Sequence, residues 1–243
     1  LTEENPITYE SDWFKLNEAL LHLKPYTKPH FPMAVAAAQS PSGMVAAGKH
    51  GLGVLSVSVV RGGAVTSNLG DFWKIAEDTA EEHGKTVDRK EWRLVVGVHL
   101  AESKKEALNQ ARERSAAFQY DYFHKTLGTE FEFKGPRDKI VDYMVDSGAW
   151  CVGTPDDLIA KIYELDEITG GFGGFLIQAN EWGTREQVKH SYELLARYVM
   201  PHFQGSLENI YTSQKWSEDN RDKLGALRTK AYDKASADYK PKN

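Results

Sequence analysis

The fold is decided by residues 34–60, "AVAAAQSPSGMVAAGKHGLGVLSVSVV". This segment opens with an apolar run, breaks at Ser-Pro-Ser-Gly, resumes with small residues and ends in a second apolar run. A strand-like run, a helix-like run and another strand-like run in this order predict a strand–helix–strand unit. The break between the first strand and the helix is then the place where a ligand could meet the start of the helix.

The residues of the break suit a helix N-terminus. Ser40 can serve as the N-cap, Pro41 is favoured at the first helical position, and Gly43 lets a ligand approach the backbone. Unpaired N–H groups and the positive end of the helix dipole favour an anion there, typically a phosphate. A well-capped helix without a ligand is the alternative that this segment leaves open, because serine caps are common.

Composition limits the class of protein. With 243 residues, 41% of them hydrophobic and 27% charged, the chain is expected to form a single globular domain with a well-buried core. A net charge of -5 without a basic stripe argues against a nucleic-acid partner. No apolar run approaches the roughly 20 residues of a membrane helix, so we expect no membrane partner. The single cysteine, Cys151, and the scattered histidines predict neither a disulfide nor a metal site.

The first residues, "LTEENPITYE", are polar and acidic and do not resemble a signal peptide, which predicts a cytoplasmic location. The chain does not begin with Met, and "LTEENP" resembles the last turn of a helix leading into a loop. We therefore expect the chain to be a fragment, or to have lost an N-terminal portion.

Short β-branched runs alternate with helical patterns along the chain. The predicted strands are Met33–Ala38, Val54–Val59, Leu94–His99 and Phe175–Ala179. None alternates cleanly between polar and apolar residues, which is typical of a parallel sheet covered by helices on both faces. Repeated βα units are compatible with a doubly wound sheet or with a barrel. Four units cannot close an eight-stranded barrel, so the fold is either an open sheet or a barrel of which half is missing.

The domain divides into three parts by sequence. Residues 1–32 contain two extended runs about a polar centre and are predicted to form a hairpin insertion. Residues 33–204 hold the βα units, and residues 205–243 form a polar C-terminal extension with some helical periodicity.

Several segments, in this order along the chain, resemble the bacterial luciferase-like flavin monooxygenases, in particular the limonene 1,2-monooxygenase-like branch. They are "ITYESDWFKLNEALLHLKPYTKPH", "QSPSG", "AAGKHGLG", "VGTPDDLIAKIYEL", "GGFGGFLIQANEW" and "SYELLARYVMPHF". The resemblance covers residues 1 to about 205 and implies the C-terminal part of a (βα)₈ TIM barrel. The first four strands of that barrel, which carry the family's usual catalytic histidine and phosphate-binding arginine, have no counterpart in this sequence.

The resemblance also implies a cofactor, reduced FMN, bound at the C-terminal ends of the strands. Gln39 and Ser40 would lie at the end of the family's fifth strand. Ser40 and the backbone of Gly43 would then contact the flavin phosphate, with Ser42 as a weaker candidate.

Two further residues, Asn180 and Trp182, follow the last predicted strand. By the same resemblance they would face the barrel mouth and line the flavin or substrate pocket, although a packing role for Trp182 is an equal alternative.

Catalytic residues are not identified by the sequence. His99 lies at the end of a strand and is a weak catalytic candidate, but a buried, hydrogen-bonded histidine is the favoured interpretation. Cys151 lies among apolar neighbours and is interpreted as a small buried side chain.

The function implied by the resemblance is an FMN-dependent monooxygenase that uses O₂ to oxygenate a small apolar organic substrate. Reduced flavin would come from a separate flavin reductase, and the lack of a nicotinamide-binding fingerprint fits that arrangement. Two alternatives stay open: a deazaflavin-dependent oxidoreductase on the same barrel, and a non-catalytic flavin-binding or subunit-interaction protein. Because half a barrel exposes an apolar edge, we also expect a homo-oligomer.

Overall fold

The computed structural model describes residues 1, 3–28, 30–38, 40–59 and 69–239. In this part of the chain, helices pack on a parallel sheet, and an antiparallel hairpin precedes that sheet. The strands are β1 (Ile7–Glu10), β2 (Lys15–Ala19), β3 (Ala34–Ala37), β4 (Gly53–Ser56), β5 (Trp92–Leu100), β6 (Trp150–Gly153) and β7 (Gly174–Gln178).

Within the described ranges, one or two helices separate successive strands of the parallel sheet, and the last four helices follow β7. The helices are α1 (Ser42–His50), α2 (Leu69–Glu82), α3 (Lys104–Ala116), α4 (Ile140–Asp146), α5 (Pro155–Thr169), α6 (Arg185–Leu194), α7 (Met200–Phe203), α8 (Glu208–Asp219) and α9 (Arg221–Asp238). A π-helix, Ala117–Thr126, continues α3 directly, and a shorter π-helical segment, Leu195–Val199, joins α6 to α7.

The predicted hairpin is confirmed. Strands β1 and β2 pair antiparallel, with Glu10 opposite Lys15 and their side chains joined by an ion pair of 2.8 Å. The C-terminal extension is helical, but α8 and α9 contain no buried residue, so they contribute little to the core. No helix in the described residues has both the length and the apolar character needed to cross a membrane.

Strand β5 is the centre of the parallel sheet. Its residues 92–94 pair with β4, residues 93–97 with β7, and residues 97–100 with β6. A strand has two edges, and Gly97 is in register with both Trp150 of β6 and Gln178 of β7. Therefore β4 and β6 share one edge of β5, and β7 occupies the other. The successive strands β3, β4, β5 and β7 form the continuous sheet, while β6 extends it beyond the end of β4.

The two faces of this sheet differ sharply. Leu94, Val96 and Leu100 point to the face that the helices cover, and all three belong to the main core cluster. The intervening residues of β5 point to the opposite face, and residues in parallel register with them share that face. Leu176, which is in register with Val95, is 38% exposed there. At the carboxyl end of β5 this face is covered, since Gly97 contacts Trp182 and His99 bonds Gln110 of α3, whereas along β3 and β7 it is exposed at Ala36 and Leu176. It is called the open face below, and it corresponds to the interior of a barrel.

The amino-terminal end of the sheet is closed by aromatic packing. The rings of Trp73 and Trp92 stack with centroids 4.7 Å apart. Trp92 Nε1 donates to Ser56 Oγ at 2.9 Å, and both side chains are fully buried. In βα barrels this end of the strands serves stability, whereas the carboxyl ends hold the active site.

Most sequence-based boundaries agree with the structure to within one to three residues. Strand β4 begins at Gly53 and ends at Ser56, three residues before the predicted end. Strand β6 was not predicted. Helix α1 begins at Ser42 with Pro41 as its N-cap, so the prediction that Ser40 caps this helix is wrong.

Candidate ligand site at the carboxyl ends of the strands

The start of α1 presents two exposed hydroxyl groups. Pro41 already has helical angles, φ -68° and ψ -12°, and offers no side-chain cap. Because the helix begins after Pro41, Ser40 bonds the neighbouring hydroxyl instead of a backbone N–H, and Ser40 Oγ lies 2.6 Å from Ser42 Oγ. One hydroxyl of the pair donates to the other, so the second keeps its hydrogen for an external acceptor. Such a pair at the positive end of a helix suits an anion.

Gly43 has a packing role that the sequence did not reveal. A Cβ at this position would lie 2.9 Å from Ala37 Cβ and 3.3 Å from the Ala36 carbonyl oxygen. Glycine therefore lets α1 lie directly on β3, which fixes the two serine hydroxyls near the end of that strand. Gln39 lies outside the described residues.

Two buried donors lie beyond the carboxyl end of β7. Asn180 Nδ2 and Trp182 Nε1 are inaccessible to solvent and have no hydrogen-bond partner among the described residues. Unpaired buried donors are costly and call for an explanation. Both groups need an acceptor, which a water molecule or a ligand with carbonyl or ring-nitrogen acceptors would provide.

The indole of Trp182 packs on the open face at Gly97. A Cβ on Gly97 would lie 2.6 Å from Trp182 Cη2 and 2.9 Å from Trp150 Cδ1. The two indoles have centroids 4.3 Å apart, and Phe118 of the π-helix lies 6.2 Å from Trp182. Trp182 is 1% exposed, so its ring serves in packing, and only the Nε1 group is without a partner.

His99 is also buried at this end of β5. It is 2% exposed, and its Nε2 lies 2.9 Å from Gln110 Oε1. Burial lowers the pKa of His99, and the bond to Gln110 opposes part of that effect. The structure therefore shows the buried, hydrogen-bonded histidine that the sequence favoured.

A small cavity of about 10 Å³ adjoins His99 and Asn180 and reaches Ser191 of α6. This volume holds about one water molecule and no organic substrate. The hydroxyl of Ser191 is already engaged, since it accepts a bond of 2.8 Å from the Leu100 N–H. The cavity is consequently a packing feature between the sheet and α6.

The candidate residues form two groups. Ser40, Ser42 and Gly43 lie beyond β3, whereas His99, Asn180 and Trp182 lie at the ends of β5 and β7. Both groups are at the carboxyl edge because the strands are parallel. Three strand spacings, about 14 Å along the sheet, separate β3 from β7. A ligand that reaches both groups must therefore be elongated or lie across the open face.

Sequence analysis missed Gln110 and Trp150. Gln110 follows Glu106 by one helical turn, and its Nε2 donates to Glu106 Oε1 at 2.9 Å. That spacing is typical of a side-chain hydrogen bond within a helix. No local pattern indicates His99 as the second partner of the Gln110 amide. Trp150 belongs to the unpredicted strand β6, so its contact with Trp182 was equally hidden.

Cys151 behaves as predicted from its apolar neighbours. It lies in β6, is 5% exposed and belongs to the main core cluster. Burial raises the pKa of its thiol to about 12, so the unreactive thiol is the dominant form.

The parallel βα sheet and the polar groups at its carboxyl edge define a protein of the α/β-barrel class. A family model for luciferase-like monooxygenases matches residues 1–170. The chain therefore belongs to the luciferase-like monooxygenase family.

Two curated relatives cover most of the chain. A 4-hydroxyprotoasukamycin monooxygenase of Streptomyces nodosus subsp. asukaensis is 37% identical over 94% of this chain and 62% of its own length. A limonene 1,2-monooxygenase of Rhodococcus erythropolis is 38% identical over 83% of this chain and 51% of its own length. The chain thus spans between half and two thirds of these relatives.

Solved structures share the fold. The oxygenating constituent of 3,6-diketocamphane monooxygenase of Pseudomonas putida, in complex with FMN, has a TM-score of 0.60 at 22% identity, covering 81% of this chain and 58% of its own. An F420-dependent secondary alcohol dehydrogenase has a TM-score of 0.55 at 18% identity, covering 81% and 56%. These matches confirm the C-terminal part of a luciferase-like TIM barrel.

Proposed function

We propose that this chain belongs to an FMN-dependent monooxygenase. The enzyme would use O₂ to oxygenate a small apolar organic compound. The observation that carries the proposal is the Ser40–Ser42 hydroxyl pair at the N-terminus of α1, at the carboxyl edge of a luciferase-like sheet. Family membership and the names of the two curated relatives support oxygenation as the reaction.

The residues present fit a flavin nucleotide. The hydroxyl pair and the helix N-terminus suit a phosphate dianion, and charge-assisted bonds of this kind are stronger than neutral ones. Asn180 Nδ2 and Trp182 Nε1 are buried donors without partners, as expected where a ligand with acceptor atoms completes the site. Bound reduced flavin would supply the electrons that activate O₂ and allow one oxygen atom to be delivered to the substrate.

The chain's own contribution is to bind and orient the ligands and to exclude water. Ser40, Ser42 and the backbone of Gly43 would hold the phosphate. The open face offers alanine, leucine and valine side chains, among them Ala36, Val95 and Leu176, which suit an apolar substrate. His99 is not assigned a proton-transfer step, because it is buried and bonded to Gln110.

The source of the reduced flavin, the cellular location and the domain division are further parts of the proposal. Reduced flavin would be supplied by a separate flavin reductase, and the cytoplasmic location stays a prediction. We also keep the division into a hairpin (1–32), βα units (33–204) and an extension (205–243) within one domain.

Association with further polypeptide is supported by the open face. The outer edges of β3 and β7 pair with no other strand in the described residues, and Leu176 is exposed beside them. Unpaired edges and exposed apolar surface favour a homo-oligomer in solution. Sedimentation velocity at several concentrations tests this, and a strictly monomeric chain would contradict it.

Anaerobic titration of the chain with reduced FMN tests the cofactor, with riboflavin as a control that lacks the phosphate. Saturable binding of FMN, much weaker binding of riboflavin, and oxygenated product once a reductase and O₂ are added are the expected results. Tight binding of a deazaflavin with hydride transfer under anaerobic conditions would favour the oxidoreductase alternative instead. Absence of binding by either cofactor would refute the proposal.

A further inference from the structure

A second cleft in the described residues lies away from the strand ends, between the π-helix and the start of α4. Its volume is about 330 Å³, within the range that small organic ligands occupy. This segment contains none of the site residues predicted from the sequence, and the proposed function does not involve it.

Four of the eight residues that line this cleft carry aromatic rings. Tyr120 and His124 lie one turn apart on the π-helix, with ring centroids separated by 5.2 Å. His124 is 6.3 Å from Phe131, and Phe131 is 6.1 Å from Phe133. Rings at these separations offer edge and face contacts to another flat ring system.

One glycine shapes the wall. A Cβ on Gly135 would overlap the ring of Phe133, so glycine allows that ring to lie against the backbone. Phe133 also packs against Tyr143, with centroids 4.9 Å apart and planes inclined by 30°. Contacts with the backbone at Gly135 and with Tyr143 therefore hold the ring of Phe133 in the wall of the cleft.

The charged groups near the cleft do not call for an anionic ligand. Arg137 donates to both oxygens of Asp121, at 3.0 and 2.8 Å, and lies 3.3 Å from Glu113. The guanidinium lowers the pKa of Asp121, so the pair stays ionised and the charges compensate each other. Lys134 is exposed to solvent at the rim.

His124 supplies a directional polar group. Its Nδ1 lies 2.8 Å from the Thr129 carbonyl oxygen, and a carbonyl oxygen can only accept. Nδ1 therefore carries the hydrogen, and in the neutral imidazole Nε2 is an acceptor. No bond to Nε2 is present within the described residues.

We propose that this cleft binds a flat, mainly apolar ring system that carries a hydroxyl group, with the hydroxyl donating to His124 Nε2. The rings of Phe131, Phe133 and Tyr120 contact the ring system, and His124 distinguishes a hydroxyl from a group that cannot donate. Flavin is not required for this binding, so the outcome is independent of the proposed function.

Calorimetric titration with 2-naphthol and 2-methoxynaphthalene tests the proposal. The two probes share a ring system, but only the first can donate a hydrogen bond. The chain is expected to bind both, and to bind 2-naphthol about three- to tenfold more tightly, as one neutral hydrogen bond provides. If neither probe shows saturable binding, the proposal is wrong.

Variants of the chain test which residues of the cleft bind the two probes. His124→Phe is expected to remove the preference for 2-naphthol while keeping the binding of 2-methoxynaphthalene. His83→Phe is the matched control, because His83 Nδ1 also bonds a threonine carbonyl, that of Thr79, at 3.0 Å, and His83 directly follows α2, far from the cleft in sequence. Gly135→Ala is expected to weaken the binding of both probes by about fivefold or more, because the added methyl group displaces the ring of Phe133. A preference that survives in His124→Phe, or affinities unchanged in Gly135→Ala, would contradict the proposal.

Discussion

His99 Nε2 and Gln110 Oε1 lie 2.9 Å apart, and this bond sets the tautomer of a buried imidazole. Gln110 Nε2 donates to the carboxylate of Glu106 at 2.9 Å, which leaves the amide oxygen to face His99. An amide oxygen only accepts, so His99 Nε2 carries the hydrogen and Nδ1 is left as an acceptor. The chain Glu106–Gln110–His99 thereby holds a neutral histidine in place beside the strand ends.

This arrangement predicts a loss of stability in mild acid. Burial lowers the pKa of His99 below its ordinary value of 6.5, so the unfolded chain binds the proton more readily than the folded chain. The free energy of unfolding must then decrease as the pH falls from about 6.5 toward the folded-state pKa. Urea denaturation at a series of pH values from 7.5 to 5.5 measures this decrease.

His99→Gln removes the titrating group and should give a flatter dependence of unfolding free energy on pH than the unmodified chain. As a second measurement, Gln110→Leu removes the bond that raises the pKa of His99, so NMR titration should find that pKa lowered further. Parallel pH dependences in the unmodified and His99→Gln chains would show that burial of His99 is not the cause.

Gly97→Ala is expected to disturb the aromatic packing on the open face. The added methyl group would meet Trp182 at 2.6 Å and Trp150 at 2.9 Å, and overpacking of this kind costs about 1–3 kcal/mol. Chemical denaturation and tryptophan fluorescence should report both the lost stability and a changed indole environment. Gly225→Ala is the control, because a Cβ at that position of α9 meets no atom within 4 Å beyond the adjoining backbone of its own helix. Equal stability of the two variants would contradict the position of Trp182.

Cys151 should resist thiol reagents in the folded protein. Its pKa is raised to about 12 by burial, and the thiolate is the reactive form. We expect negligible labelling by a disulfide reagent at pH 8 under native conditions and complete labelling in denaturant. Rapid labelling of the native chain would mean that β6 is not packed against β5 as described.

Much of the fold was predictable from local patterns. The strands β3, β5 and β7 agree with their predicted positions, because short apolar runs between helix caps are distinctive. Both halves of the Thr154–Asp157 and Thr184–Gln187 capping boxes form. For the cap of α3, Ser103 Oγ accepts from the Glu106 N–H at 3.2 Å, while the Glu106 side chain accepts from Gln110 instead of completing a capping box.

The candidate site was less predictable, because its contacts join residues far apart in the sequence. The packing of Trp182 on Gly97 and Trp150 depends on strand register, which no local pattern encodes. The sequence allows two helix starts at the beginning of α1, each with its own cap. The helix begins after Pro41, and Pro41 itself adopts helical angles. The resemblance to a family identified the segments that carry the candidate site. Only the structure shows which side chains of those segments are free to bind a ligand.

The most direct test of the central claim is the affinity for reduced FMN of the unmodified chain and of Ser40→Ala, measured anaerobically by titration. Loss of a hydroxyl bond to a charged phosphate is expected to weaken binding by about 1.5–3 kcal/mol, or roughly 10- to 150-fold. Ser42→Ala should have a smaller effect, and Ser103→Ala, which removes the cap of α3, should leave the affinity unchanged. If Ser40→Ala and Ser103→Ala bind reduced FMN equally well, the flavin phosphate does not bind at the start of α1.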